Sequence, residues 1–308
     1  MRRLAFLLAL LFAAGCGKQT DFDLAKKSEK LGRYATAISH YETFVQKNPK
    51  HSDTAEAYFN MGEIYRTVIK DYPQARLYFE KVSKEFSGKP IAVKADEQFM
   101  NCPDYFPLDA VDKKVMGDSS SGGDHMHTVE KFEPAKEAPG RRRWTRETFA
   151  GDQSVGAESL IYEKKDRELR EFVPGNPQYS VALRYPLVKG LSWESLRRGK
   201  RVQFSVVDDA CSIEVRGGIF VNCLKVKEES AEIKSTWKYN YYAPGAGLVL
   251  TSIATEKAET RIVELLSGTP ARAASVSVET KKANKFYISV DRIKSWFAEI
   301  TSKIKKRK

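Results

Sequence analysis

The sequence has few of the residues, and none of the short motifs, on which most enzymes depend. It contains four His and four Cys among 308 residues. It has no G-x-S-x-G, H-E-x-x-H or P-loop motif. Its Asp and Glu residues are scattered among lysines, which is typical of solvated surfaces. We therefore expect a non-catalytic protein without a bound metal or a cofactor.

Long hydrophobic runs are absent as well. The longest run, Leu4–Ala14, has eleven apolar residues and follows Arg2 and Arg3. It is too short to span a bilayer, which takes about 20 residues. A positive start followed by a short apolar run is instead typical of a secretory signal peptide, which we predict over residues 1–15.

The end of this run, Ala13-Ala14-Gly15-Cys16, resembles a bacterial lipobox, although Ala13 replaces the usual Leu. The resemblance implies cleavage before Cys16 and lipidation of Cys16 with palmitate-like acyl chains. Residues 16–20 would then be a short tether to a membrane. Gly17, where Asp would signal inner-membrane retention, favours the outer membrane with the protein facing the periplasm. An ordinary signal peptide with an incidental Cys is the alternative.

The positive charge is concentrated at one end of the chain. The formal net charge is +12, and residues 281–308 hold ten Lys or Arg but only two Asp or Glu. Residues 16–280 hold 40 basic and 38 acidic side chains, so they are close to neutral. This distribution does not indicate a nucleic-acid-binding protein, because such domains carry a basic face on the folded body.

Residues 21–100 predict paired helices. The segments LGRYATAISHYETFVQKNP and AEAYFNMGEIYRTVIKDYPQARLYFEKV place small, aromatic and proline residues at a repeated spacing. They resemble two tetratricopeptide repeats, which have a period of about 34 residues, of the kind in outer-membrane-assembly and Tol–Pal-associated lipoproteins. The second copy has one extra residue between its halves and lacks the glycine there. Residues 90–100 predict a capping helix.

Repeats of this kind imply a concave surface that binds a peptide or a partner helix. The resemblance gives a partner-binding role to Tyr34, Tyr41, Tyr58 and Tyr65. The same aromatic side chains would also fill the core between stacked helices, and the sequence leaves both roles open. We expect the partner to be a protein of the periplasm.

Beyond residue 100 the apolar pattern changes to a period of two, which predicts an antiparallel β domain over residues 101–268. The alternation is clearest at Val202, Phe204 and Val206. Four segments of this chain resemble a recurrent β domain of bacterial lipoproteins that has no assigned activity. They are YFPL at 105–108, RYPLVKGLSW at 184–193, VRGGIFVNCLKV at 215–226 and YYAPGAGLV at 241–249. The resemblance implies a curved, half-barrel-like sheet whose concave face would bind a lipid or another apolar ligand.

The sequence predicts the strand register of one hairpin in this domain. If Arg216-Gly217-Gly218 is a three-residue loop, Val215 faces Ile219 and Cys211 faces Cys223. Opposed residues of an antiparallel pair are close enough for a disulfide. We therefore predict a Cys211–Cys223 disulfide, with two free thiols as the alternative.

Residues 117–140 are rich in Ser and Gly and predict a flexible insertion within the β domain. His125 and His127 lie in this segment without a third ligand cluster, so no metal site is predicted.

After a predicted linker at residues 269–285, residues 286–308 have apolar side chains at helical spacing among lysines. They predict a basic amphipathic helix, which would contact an anionic membrane surface or dock on a protein. The candidate contact residues are Trp296, Phe297, Lys303, Lys305, Lys306, Arg307 and Lys308.

Together these patterns predict an α+β multidomain protein. Helical repeats are followed by a curved antiparallel sheet and a C-terminal amphipathic helix. The predicted function is that of a lipid-anchored adaptor of the bacterial cell envelope, with lipid or apolar-ligand binding by the sheet as the alternative.

Overall fold

Five helices are followed by twelve strands in the computed structural model, which describes residues 20–109, 113–233 and 235–268. The predicted signal peptide, the lipidation of Cys16, the linker and the C-terminal amphipathic helix lie outside the described residues. The α+β fold class predicted from the sequence is confirmed. The helices are α1 (Asp21–Lys30), α2 (Tyr34–Lys47), α3 (Thr54–Ile64), α4 (Tyr72–Glu85) and α5 (Pro90–Met100), and a π-helical turn (Tyr65–Ile69) extends α3.

Side-chain hydrogen bonds cap the starts of two helices, α1 and α4. At the start of α1, the backbone N–H of Asp23 donates to Thr20 Oγ1 and the N–H of Thr20 donates to Asp23 Oδ2, both at 3.1 Å. This reciprocal pair is a capping box. At the start of α4, the Asp71 carboxylate accepts the N–H of Gln74 at 3.1 Å. The first helix of the first repeat and the second helix of the second repeat therefore both start at a capped residue.

The extra residue of the second repeat lies in the π-helical turn. A π turn closes its hydrogen bonds over five residues, so it accommodates one inserted residue without ending the helix. The chain then turns at Lys70, whose φ is +63°. In the first repeat, the position two residues before the second helix is Gly32, with a φ of +70°. Lys70 therefore adopts the left-handed conformation that the first repeat gives to glycine.

All twelve strands form one antiparallel sheet. Strands β1–β6 and β7–β12 are two meanders, joined where β1 pairs with β12, and β6 and β7 are the edges. The strands are β1 (Lys114–Asp118), β2 (Met126–Pro134), β3 (Arg142–Ala150), β4 (Gln153–Lys165), β5 (Glu168–Phe172), β6 (Tyr179–Arg184), β7 (Ser192–Arg197), β8 (Lys200–Val215), β9 (Gly218–Ser230), β10 (Trp237–Ala243), β11 (Gly247–Ala254) and β12 (Glu259–Gly268).

The two edge strands lie beside each other, so the sheet is nearly closed. The N–H of Val181 on β6 donates to Ser195 Oγ on β7 at 2.7 Å. The indole N–H of Trp193 donates to the carbonyl of Val181 at 3.2 Å. Side chains, and not a ladder of backbone hydrogen bonds, therefore join β6 to β7. The sheet is curved, as the half-barrel-like prediction requires.

The inner face of the sheet holds the largest hydrophobic cluster. Buried side chains from both meanders meet there with residues of α4 and α5, including Phe79, Phe99, Trp144, Trp193 and Phe204. The predicted boundary at residue 100 therefore separates helices from strands but does not separate two hydrophobic cores.

The turn between β4 and β5 binds the helices to the sheet. Arg167 in this turn donates to Asp96 and Glu80 at 3.3 Å and to Ser83 at 3.2 Å. Its guanidinium carbon lies 4.1 Å from the centre of the Phe99 ring. One side chain of the sheet thus contacts both α4 and α5.

The hairpin of β8 and β9 extends past the inner core and folds back over the outer face of the sheet. Bulges bend β8 between Val206 and Cys211, and Asn222 bends β9 with a φ of +55°. The N–H of Gly217 at the tip donates to the carbonyl of Leu265 on β12 at 2.7 Å. A second hydrophobic cluster forms beneath the hairpin, made up of Met116, Val215, Cys223, Tyr241, Ala243, Ala246, Val249, Leu250 and Leu265.

Two sequence predictions in the β domain are wrong. Strand β2 occupies residues 126–134, so residues 117–140 are not an insertion; charged residues on β2 hide its alternation. The hairpin tip is a two-residue turn, because Val215 pairs with Gly218. The extra residue at the Asn222 bulge restores the predicted pairing of Cys211 with Cys223.

Candidate functional site

Three tyrosine rings are stacked across α3 and α4. Tyr78 on α4 lies between Tyr58 and Tyr65, with ring centres 6.3 Å and 5.5 Å apart and planes inclined by 28° and 22°. Lys81 Nζ lies 4.4 Å from the centre of the Tyr58 ring. We call Tyr58, Tyr65 and Tyr78 the tyrosine ladder. Residues 58 and 65 are about two helical turns apart, and residues 78 and 81 are about one turn apart. The two residues of each pair therefore lie on the same face of their helix.

The tyrosine ladder is partly exposed and partly packed. Its rings contact the buried core between α1, α2 and α3, and all three keep intermediate exposure. Burial raises the pKa of Tyr78 to about 12. Burial, together with the charges of Glu42 and Asp71, also raises the pKa of Tyr65. The hydroxyl groups of Tyr65 and Tyr78 therefore stay protonated at neutral pH and can donate hydrogen bonds.

Glu42 on α2 lies near Tyr65 and Tyr78, and its negative charge raises the pKa of both. Burial raises the pKa of Glu42 itself. No hydrogen-bond donor or cation among the described residues pairs with its carboxylate. A carboxylate that is partly removed from water without a partner gains more than an exposed one from a new cation.

The four tyrosines predicted to bind a partner lie in different surroundings, and their partner-binding role stays a prediction. Tyr58 and Tyr65 lie together in the tyrosine ladder, and Tyr34 is partly buried against the core of the helices. Tyr41 is completely buried, and its hydroxyl donates to Glu29 at 2.9 Å and accepts from Asn60 at 3.0 Å. Tyr41 therefore holds helices together and cannot contact a partner.

Sequence reasoning missed Tyr78 as a surface residue. The signal was the adjacent pair Tyr78-Phe79, because successive side chains of an α-helix point about 100° apart, so a large ring beside a core residue lies toward the edge of the core. Phe79 is completely buried, which leaves Tyr78 at the edge of the core.

Inside the sheet, a chain of polar groups joins four strands. The Glu171 carboxylate accepts from the hydroxyl of Tyr162 at 2.8 Å and from Arg197 Nη2 at 2.9 Å. Arg197 Nη1 donates to Glu228 at 3.2 Å. Burial raises the pKa of Glu171, but the charge and hydrogen bonds of Arg197 outweigh it, and the pKa is lowered overall. These contacts satisfy one another and help to close the sheet, so we assign them no chemical role.

The inner face of the sheet is filled by its own side chains. Those of Leu169, Leu183 and Leu224 are completely buried there, together with residues of α4 and α5. Among residues 113–233 and 235–268, this face presents no open apolar surface of the kind that a lipid carrier needs. This packing does not favour the alternative prediction of lipid or apolar-ligand binding.

Cys211 and Cys223 are paired in register, as predicted. Both are free thiols here, and Cys211 Sγ donates to the carbonyl oxygen of Cys223 at 3.2 Å. Burial raises the pKa of Cys223 to about 12, so this thiol is a poor nucleophile. The disulfide stays a prediction.

No metal-binding arrangement of three or more His, Cys, Asp or Glu residues exists among the described residues. His127 stacks on Phe149 with ring centres 5.0 Å apart. In the same part of the chain, no helix has both the length and the apolar character needed to cross a membrane.

Comparison with known proteins identifies the helical repeat. Residues 56–88 match the tetratricopeptide repeat family, and this segment contains the whole tyrosine ladder. None of the curated proteins matches the chain.

Two solved structures resemble the chain. One is described as an exported protein with a YmcC-like fold from Bacteroides fragilis; it is 15% identical, with a TM-score of 0.37. The other is described as a lipoprotein from Parabacteroides distasonis; it is 13% identical, with a TM-score of 0.34. Each alignment covers 53% of this chain and 97% of the other. Similarity this distant carries no argument about function.

Proposed function

We propose that this chain is a lipoprotein of the bacterial cell envelope that binds another protein through its helical repeats and has no catalytic activity. In this proposal, acyl chains on Cys16 hold the molecule at the periplasmic face of the outer membrane. Confinement to a surface raises the effective concentration of an adaptor and its partner. The match of residues 56–88 to tetratricopeptide repeats supports the protein-binding role.

The observation that carries the proposal is the tyrosine ladder beside Glu42. Partly exposed tyrosines are enriched at protein interfaces, because they bury a large apolar ring and still donate a hydrogen bond. The carboxylate of Glu42 lacks a cation among the described residues, and its negative charge raises the pKa of both Tyr65 and Tyr78. The matching partner is a peptide or helix that places a Lys or Arg beside an apolar side chain.

The test is affinity capture from envelope extracts, with the chain from residue 17 onward as bait. Truncation after the helices is unsuitable, because α4 and α5 share a core with the sheet. We therefore use Glu42→Lys, which places a positive charge beside the tyrosine ladder, and Glu42→Gln, which removes the charge with little change in size. We expect at least roughly tenfold less of a specific partner with Glu42→Lys and a smaller loss with Glu42→Gln.

Glu97→Lys is the matched control. Glu97 is exposed on α5 and makes no ion pair among the described residues, so the substitution changes the net charge equally at a different place. Thermal unfolding of each variant shows whether it is folded. If all three variants capture the same proteins in the same amounts, the tyrosine ladder is not the binding surface.

A further inference from the structure

A cleft with a volume of about 590 Å³ lies at one end of the sheet. It is formed by the turn after β1, the tip of the β8–β9 hairpin and the start of β12. Two arginines, Arg216 at the hairpin tip and Arg261 on β12, line it together with Ser119 and Glu264. The cleft exists because the hairpin folds back over the sheet, so three elements that are distant in sequence build it.

A buried carboxylate holds both arginines in place. The Glu264 side chain is only 5% exposed. It accepts a hydrogen bond from Arg216 Nη1 and lies 3.9 Å from Arg261 Nη1. Arg216 Nη1 also donates to the carbonyl of Ser119 at 3.1 Å, and Arg261 Nη1 donates to the carbonyl of Glu214 at 2.8 Å. The two guanidinium groups are thus fixed before any ligand binds, which reduces the entropy lost on binding.

Both arginines keep hydrogen-bonding capacity. A guanidinium group has five N–H donors, and only Nη1 of Arg216 and of Arg261 has an acceptor among the described residues. The side chains are 48% and 49% exposed, so their remaining donors can reach a ligand. The hydroxyl of Ser119 is buried and has no partner in the same part of the chain.

The cleft is lined by two arginines and two glutamates, so its formal charges balance. Glu264 is buried and lies against both guanidinium groups, whereas the side chain of Glu214 is exposed. The N–H donors of the two arginines that have no acceptor, and not an excess of positive charge, are therefore the groups that can bind an anion.

We propose that this cleft binds a small ligand through an oxyanion, a carboxylate or a phosphate, held by Arg216 and Arg261. A planar guanidinium binds such groups through two parallel hydrogen bonds. The site is separate from the tyrosine ladder, so the protein has a ligand site on its sheet and a partner surface on its helices.

The test is isothermal titration calorimetry on the chain from residue 17 onward. Two probes are titrated separately, inorganic phosphate and N-acetylglycine. We expect saturable binding of at least one probe, and the probe that binds shows whether phosphate or carboxylate is preferred. Binding should weaken with added salt. It should weaken by roughly tenfold or more in Arg261→Gln.

Two further variants separate a specific site from surface charge. Arg261→Lys keeps the charge but loses the paired donors, and it should also weaken binding. Arg201→Gln is the matched control, because Arg201 is 67% exposed on β8 and pairs with Glu194 at 3.3 Å; its affinity should be unchanged. The proposal is overturned if neither probe binds saturably, or if Arg201→Gln and Arg261→Gln lose affinity equally.

Discussion

Lys70 has a left-handed backbone conformation that costs most residues about 1–2 kcal/mol. Glycine adopts it without this cost but loses more entropy on folding. We therefore expect Lys70→Gly to raise the free energy of unfolding by about 0.5–1 kcal/mol. Urea denaturation measures the change.

The matched substitution is Gly32→Ala, at the corresponding turn of the first repeat, where φ is +70°. Here we expect a loss of about 1 kcal/mol. A clear loss of stability in Lys70→Gly would contradict the assignment of Lys70 to the position of a missing glycine.

Lys114 is a buried cation whose pKa burial lowers to about 8. Its ammonium group donates to the carbonyls of Leu248 and Ala246, and Glu130 pairs with it in register on β2. Between about pH 8 and pH 10.5 the unfolded chain holds a proton here that the folded chain has lost. Stability contributed by Lys114 therefore rises with pH through this window.

Lys114→Met removes this pH dependence. The difference in unfolding free energy between the wild-type chain and the variant should change by about 2 kcal/mol, in favour of the wild type, between roughly pH 7.5 and pH 9.5. Urea denaturation of both proteins at both pH values measures this difference. The contributions of all other titratable groups cancel, because both proteins contain them. Parallel pH profiles for the two proteins would show that Lys114 has an ordinary pKa.

At the scale of the element, the β8–β9 hairpin depends on close approach at its tip. A Cβ on Gly217 would lie 2.9 Å from the carbonyl oxygen of Leu265 and 2.8 Å from its Cγ. We expect Gly217→Ala to lift the tip and destabilise the protein by about 1–3 kcal/mol. Hydrogen exchange should increase at the Gly217 amide and along β12, but not along β5.

Gly156→Ala is the control for this prediction. Gly156 is an exposed residue of β4, and a Cβ there would meet nothing within 4 Å. Its substitution should change stability by less than about 0.5 kcal/mol. If Gly217→Ala behaves in the same way, the hairpin tip is not held by this contact.

The elements differ in how far the sequence predicts them. Helices α1–α4 follow from a local pattern, because the apolar spacing of a repeat is set by contacts between neighbouring helices. The strand at Val202, Phe204 and Val206 also follows from local alternation. Strand β2 was missed because its residues are mostly charged or exposed, and the backward fold of the β8–β9 hairpin depends on contacts with β12 about 50 residues away in the chain.

The candidate site was predictable only in part, for a related reason. The repeat pattern identified Tyr58 and Tyr65, but it also selected Tyr41, because one spacing serves both the core and the surface of stacked helices. Glu42 carries no signal in the sequence, since its importance comes from lacking a cation among the described residues. The cleft between Arg216 and Arg261 depends on tertiary contacts throughout.

For the whole molecule, the shared core predicts that helices and sheet unfold together. Trp144 and Trp193 lie in the cluster that also contains Phe79 and Phe99 of the helices. In a Trp296→Phe variant, the remaining tryptophans all lie on strands of the sheet. Its fluorescence, which reports on the sheet, and its far-ultraviolet circular dichroism, which is dominated by the helices, should give coincident urea transitions.

A core substitution sharpens this test. Phe99→Ala should shift both transitions equally, by about 3 kcal/mol. Two separate transitions, or a shift in the helical signal alone, would mean that helices and sheet are independent domains, as the sequence had suggested.

The central claim is that the helical face with the tyrosine ladder binds a protein. The most direct measurement is photo-cross-linking in cells, with p-benzoylphenylalanine placed at Lys81, next to Tyr58. The control is the same residue at Val155, which is 54% exposed on β4. We predict a discrete protein adduct from position 81 and none of the same mass from position 155. No adduct at position 81, or identical adducts at both positions, would contradict the account.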